Sequence, residues 1–336
     1  MTARRAPLLW APLLLGALLV ALLSSLGVGG VAVPLDQVVR ALVTPKDPTL
    51  RPAYLTIVWE LRLARALLAA LVGAGLAGSG AAFQGLFRNP LADPFVIGAS
   101  SGAALGATLA IVSGSLAGGW PALSVPLGAF LGAILAVLLV YAVSASGERS
   151  PLGLLLAGAA LSTMLSALVS LLMLLNNRAL PEIFAWLLGG FSGRGWPHMA
   201  MSAPALLLGL GLLWLLARPL DAMSTGEENA RSLGLPLSQA RLLIVAAASL
   251  ATAAGVAAGG IISFVGLIAP HIARMFCGTN HANLIPASAL IGALLLLLAD
   301  SVARSAVAPL ELPVGILTAM LGGPFFLWLL HRGGLR

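Results

Sequence analysis

Charge is scarce in this sequence. Only 9% of its 336 residues are Asp, Glu, Lys or Arg, where a soluble domain carries about 25%, so an ordinary water-soluble globule is excluded. Cysteine is scarcer still: Cys277 stands alone, which excludes an internal disulfide and any multi-cysteine metal site. Lysine is reduced to Lys46 in TPKDP, so no GxxxxGK[ST] loop is present to cradle a nucleotide phosphate. The four histidines, His198, His271, His281 and His331, form no cluster. His271 lacks the second ligand at i+3 or i+4 that a metal site on a helix needs, and is expected to pack near the bend made by Pro270. Asp93, Glu148 and Glu182 fall outside the long apolar runs, so the buried carboxylate relay of a proton-driven carrier is not apparent. Nor is there an obvious nucleophile and base pair in neighbouring runs for an intramembrane hydrolase.

What the chain has in plenty is apolar: 60% hydrophobic residues and 39 glycines, with mean hydropathy +1.03. Runs of roughly 20 apolar residues, each long enough to cross ~30 Å of hydrocarbon, recur throughout. Polar breaks and Gly/Pro punctuation divide them into about ten spans, near 7–28, 62–84, 98–117, 122–145, 151–175, 198–218, 240–260, 262–276, 284–304 and 313–331. The expectation is an all-α polytopic membrane protein of one domain over 1–336. The first span follows a basic start, but its apolar stretch is longer than the ~7–15 residues of a cleaved signal peptide, so it reads as an uncleaved helix. The eighth is short, and is expected to be tilted, broken or packed within protein. Glycines at i, i+4 (Gly98, Gly102 and Gly106; Gly128 and Gly132) suit close helix packing. The net charge of +7 is spread over the ends of the runs with no basic block, which argues against nucleic acid. An even number of spans puts both termini on one side, and the distribution of basic residues weakly favours the cytoplasm for them.

One polar island interrupts the pattern. In TGEENARSLGLP, Glu227, Glu228 and Arg231 crowd between apolar runs. Thr225 and Glu228 fit a capping box, Glu227 and Arg231 an i, i+4 pair, and Gly234 a stop, after which Pro236 opens a second helix. Two short helices meeting at a bend, with Ala230, Leu233 and Leu235 exposed, are expected. They make either a solvated loop or a docking knuckle.

The stretches RLARALLAALVGAGLAGSGAAFQGLFRNPLADPFVIGASSGA (62–103), GIISFVGLIAPHIAR (260–274) and LLLLADSVARSAVAPLELPVGILTAMLGGPFFLWLL (295–330) closely resemble the FecCD-type permease subunits of ABC importers for iron-siderophores, haem and cobalamin. The likeness runs from about residue 55 to the C-terminus. It implies a type II ABC importer permease-like fold of ten helices in the bacterial inner membrane, paired as a homodimer and driven by two copies of a separate ABC ATPase. No cofactor is implied in this chain, since ATP and Mg belong to that ATPase. A periplasmic or lipid-anchored substrate-binding protein delivers the cargo. The alternative is an ion-gradient-driven secondary transporter, which needs ionisable residues inside the membrane or broken helices. None of the former is apparent.

The resemblance also assigns roles. It makes the segment at about 222–238 the ATPase-coupling element, through Glu227, Glu228, Ala230, Ser232, Leu233 and Gly234. Arg62 and Arg65 are like charges at i, i+3 that want an anionic neighbour. A lipid phosphate is one candidate; the resemblance offers acidic residues of the binding protein instead, and adds Arg304, which Asp300 can also meet at i, i+4. Reversing Arg62 and Arg65 together to Glu is then expected to abolish docking and leave the bundle folded. Ala64 stands where the family usually has Pro. Asn89 and Leu91, in the turn QGLFRNPLADP, become cytoplasmic gate candidates; a plain tight turn is the other reading. Ser162, Thr163, Ser166 and Ser170 of the fifth span either line the pathway or bond their own backbone.

Overall fold

The computed structural model describes residues 10–45, 50–117, 124–145, 151–307 and 310–331. The positions Arg4, Arg5, Lys46, Glu148, Arg149, Arg332 and Arg336 lie outside them, as do the outer limits of the first and fourth expected spans. The helices are α1 (Trp10–Gly27), α2 (Leu35–Val43), α3 (Pro52–Thr56), a π-helical run (Ile57–Leu63), α4 (Ala64–Phe87), α5 (Ala99–Ala117), α6 (Ser124–Ala145), α7 (Pro151–Leu175), α8 (Leu180–Leu187), α9 (Trp196–Leu215), α10 (Ala217–Ser224), α11 (Glu227–Ser232), α12 (Leu237–Gly259), α13 (Val265–Cys277), α14 (His281–Ser305) and α15 (Val314–His331). Among the described residues eight helices are long and apolar enough to cross a membrane, and α13 and α15 are shorter apolar ones. Together they match the ten expected spans.

Two span limits differ from expectation. The second begins at Pro52 rather than residue 62, because α3, the π-helical run and α4 form one helix of 36 residues. At 1.5 Å per residue that is about 54 Å, well beyond the hydrocarbon thickness of ~30 Å. Ala64, unlike Pro, keeps its N–H and lets the helix run through. The eighth span is helical only from Val265. Residues 260–264 lead back into the bundle without helix, from Gly260 (φ +71°) to Phe264 (φ +69°). Gly260 and Ile262 are buried there, which is the setting in which irregular backbone is tolerated at membrane depth.

α4 is the central post. Most of its residues are buried, and it packs against α9, α12, α13 and α14. It pairs antiparallel with α14 in a register that three contacts fix. A Cβ on Gly85 would lie 2.3 Å from His281 Nε2, one on Gly73 would lie 2.2 Å from the Gly292 carbonyl oxygen, and Arg65 bonds Asp300 at the far end. With no hydrophobic drive between helices in lipid, such backbone approach is what dispersion needs. α5 and α6 repeat the device: a Cβ on Gly106 would sit 2.0 Å from the Gly128 carbonyl oxygen.

Candidate functional site

The bundle has two polar ends. At one, the island end, the chain leaves α9 through α10 and α11 before α12 begins. Gly226 takes φ +121° to separate the two short helices, and Gly234 takes φ +78° to stop the second. The stop is a Schellman closure, in which Leu235 N donates to Ala230 O at 3.1 Å and Gly234 N to Arg231 O at 2.8 Å. The expected stop at Gly234 is therefore present, but four neighbouring expectations are corrected, the exposure of Ala230 among them. The capping box does not form: the Thr225 hydroxyl turns back to Ala222 O at 2.8 Å, and α11 has no side-chain cap. Glu227 pairs across to Arg241 of α12 at 2.6 Å. Pro236 opens the long α12, so the companion short helix is the upstream α10. Ala230 is fully buried, whereas Leu233 is 74% exposed. Glu228, Ser232 and Gly234 are exposed beside it, Glu227 and Leu235 less so.

The island is tied to the bundle by a second pair that the sequence reading missed. Asp221 of α10 accepts from His281 at the start of α14, from its backbone N at 2.9 Å, and its carboxylate meets the ring Nδ1 at 2.6 Å. The two residues are far apart in sequence, and only an acid near the end of one span and a His opening another hinted at them. The α4–α5 turn lies beside the island: the Arg88 guanidinium comes within 3.9 Å of a Cβ built on Gly226. Within the turn the Asn89 side chain accepts from Leu91 N at 2.9 Å, an Asx-turn. Asn89 is exposed and Leu91 half-buried. Gln84 joins α4 to α13, donating to Gly266 O at 3.2 Å and accepting from Arg274 at 2.6 Å.

Asp93 in the same turn is half-buried. Burial pushes its carboxyl up to about 6, opposed in part by the hydrogen bond from Phe95 N. A carboxyl whose folded pKa lies above its ordinary 3.8 holds its proton more tightly in the folded state. It therefore subtracts from stability as pH rises through that interval, and the loss is complete above about pH 6. Asp93→Asn, which keeps the acceptor for Phe95, is expected to raise the thermal midpoint by a few degrees at pH 8, with the gain shrinking toward pH 4. Thermal melts at the two pH values check this.

The arginine end is at the opposite end of α4 and α14. Arg62, Arg65 and Arg304 do come together there, and two of them, Arg65 and Arg304, share a carboxylate. Arg65 grips Asp300 with Nε at 3.0 Å and Nη2 at 2.8 Å, and Glu311 with Nη1 at 2.8 Å. Arg304 Nε lies 3.1 Å from the second oxygen of Asp300, the expected i, i+4 pair. Arg304 also donates to Val28 O and Ser25 O, and Arg62 to Leu26 O and Val31 O. All three arginines are buried, at 7%, 8% and 5% exposure, and Asp300 completely so. The anionic neighbour of Arg65 is therefore within the chain, and two expectations change. Asp300 is an ionisable residue inside a span, which corrects the view that none is apparent. Reversing Arg65 to Glu would set a carboxylate against a buried carboxylate, so the bundle is not expected to survive it. Outside the spans, Glu311 is held below the usual carboxylate range: burial pushes it up, but Arg65 and the Ser192 hydroxyl more than offset that.

The hydroxyls of α7 divide. Ser162 is half-buried and receives the Ser101 hydroxyl at 3.1 Å. Thr163, Ser166 and Ser170 are exposed on the outer face, with Thr163 donating to Ala159 O and Ser170 to Ser166 O. His271 packs edge-on against Phe325 of α15 at 5.8 Å between ring centres, as its place beside Pro270 suggested.

With this geometry in hand, the comparisons are direct. The chain matches the FecCD transport family over residues 17–332. It is 42% identical to the hemin transport system permease protein HmuU of Yersinia pestis, over 82% of this chain and 83% of that protein. It is 39% identical to the Fe(3+) dicitrate transport system permease protein FecD of Escherichia coli, over 92% and 94%. Among solved structures it resembles an inward-facing metal-chelate type ABC transporter, with a TM-score of 0.83 and 36% identity across 96% of this chain and 99% of that one. The chain therefore belongs to the FecCD transport family, as the membrane-spanning permease subunit of an ABC importer whose ATP hydrolysis is supplied by separate subunits.

Proposed function

We propose that two copies of this chain form the translocation path for an iron chelate, haem or cobalamin, driven by two ABC ATPase subunits docked at the island ends. In this reading the island and both termini face the cytoplasm of a bacterial cell, and the arginine end faces a periplasmic or lipid-anchored binding protein. ATP and Mg remain with the ATPase. The cargo range follows from the relatives, which are named for hemin, ferric citrate and cobalamin.

The observation that carries the proposal is the mounting of the island. It presents an exposed leucine on a helix too short to stand alone, yet it is braced by the Glu227–Arg241 ion pair to α12 and by the Asp221–His281 hydrogen-bonded contact to α14. A plain solvated loop needs neither brace. α14 then runs from that brace to Asp300 and Arg304. Movement applied to α10 thus reaches both the α4–α14 contact and the arginine cluster through packed helices with fixed ends, the kind of bistable element that switching requires. Asn89 and Leu91, in the turn against the island, are placed to act as the cytoplasmic gate, and the outward hydroxyls of α7 to face the path once two copies pair.

Uptake in proteoliposomes holding the chain, its ATPase and its binding protein is expected to require ATP and to be insensitive to an uncoupler. Uphill uptake by the chain alone, collapsed by an uncoupler, would instead establish an ion-driven carrier.

A further inference from the structure

At the arginine end a cavity of about 620 Å³ opens between α8, the loop after it, the α12–α13 link and the segment at 311–313. Its walls are largely apolar, with Phe184, Trp186, Phe191 and Leu312 among them, and its size falls in the range of small-molecule sites. Two guanidinium groups line it. That of Arg65 is consumed by Asp300 and Glu311. That of Arg194 has no side-chain hydrogen bond or ion pair among the described residues, and burial pulls its pKa down without a compensating carboxylate.

The chain goes to some length to hold Arg194 there. Phe191 is fully buried and anchors a turn in which Arg194 N donates to Phe191 O at 3.1 Å. Gly193, at the third position of the turn, takes φ +69°, a conformation that favours glycine. A half-buried cation without a counterion is unfavourable. Of the two acids in the wall, Glu311 is already engaged by Arg65 and Ser192, and Glu182 is exposed. What Arg194 lacks among the described residues is an acceptor with negative charge, and a guanidinium fork matches a carboxylate in two-point geometry.

We propose that this cavity receives a carboxylate of a small anionic metal chelate, gripped by Arg194. The inference rests on the importer reading and narrows its cargo to chelates that keep a free carboxylate.

The test needs neither ATP nor uptake. The full chain in lipid nanodiscs is titrated with an iron(III)–citrate chelate, which carries free carboxylates, and with a neutral iron(III)–trihydroxamate chelate. Quenching of tryptophan emission is followed, with Trp186→Phe identifying the signal from the cavity. The citrate chelate is expected to bind about tenfold or more tightly than the neutral one. Arg194→Ala should erase that preference without changing affinity for the neutral chelate, and Arg194→Lys should keep part of it. Equal affinities in the wild type, no quenching by either chelate, or an unchanged preference in Arg194→Ala would each overturn the proposal. So would a variant that binds citrate normally and fails only to dock the binding protein, since the site would then be for a protein carboxylate. None of these results touches ATP-driven uptake, so the importer reading stands or falls separately.

Discussion

Asp300→Ala is expected to destabilise the folded bundle by about 3–5 kcal/mol, because it leaves Arg65 and Arg304 buried without their shared counterion. Against a total stability of about 5–15 kcal/mol that is a large part, and the purified variant should show a steep fall in yield and thermal midpoint. The effect does not scale with the number of ion pairs removed but with their burial. Glu311 also bonds Arg65 at 2.8 Å, yet its side chain is 39% exposed, where that of Asp300 is 0%. Glu311→Gln is therefore expected to lower stability by less than ~1 kcal/mol. Equal losses in the two variants would show that the cluster is held by something other than the desolvated carboxylate. The same geometry makes charge reversal at Arg65 a test of folding before it is a test of docking.

What the sequence revealed and what it hid divide along physical lines. The ten spans were legible because crossing ~30 Å of hydrocarbon demands a long apolar run whatever the tertiary structure. The stop at Gly234 was legible because a left-handed residue at a helix end is a local requirement. The resemblance marked Arg62, Arg65 and Arg304 as one group, and the structure does bring them together. The facing of Asp300 toward Arg65 was not legible, since the two residues are 235 positions apart and meet only through the register of α4 against α14. The same holds for Asp221 and His281. The capping box failed for a different reason. Its pattern was present, but a rotation at Gly226 and a competing acceptor at Ala222 took the Thr225 hydroxyl away. Ala230 was misjudged because the exposure of a short helix depends on which neighbour it lies against, and here the island folds onto the bundle.

Leu233→Asp is expected to abolish coupled transport while leaving the chain as stable as before. Leu233 is the C-cap of α11 and is 74% exposed, and the closure behind it is made by backbone atoms of Ala230, Arg231, Gly234 and Leu235. A substitution at such a surface position shifts stability by about 0.5 kcal/mol or less. In the assembled transporter the accounting differs. A leucine buried at an interface contributes about 1.5–3 kcal/mol, and an aspartate in its place must also shed its hydration, so binding is penalised twice over. In the homodimer proposed above two islands would act together, which compounds the loss. ATP-driven uptake in proteoliposomes should fall by a hundredfold or more, roughly the ~3 kcal/mol equivalent, and the ATPase should no longer co-purify, while the thermal midpoint of the isolated chain holds. Leu233→Met should retain most activity. Ala230→Asp separates surface from core: buried at 0% exposure, it should lose transport through loss of folding, with its midpoint falling. Full uptake by Leu233→Asp with the ATPase still bound would mean that force enters the bundle elsewhere, and the braces at Asp221 and Glu227 would then need another purpose.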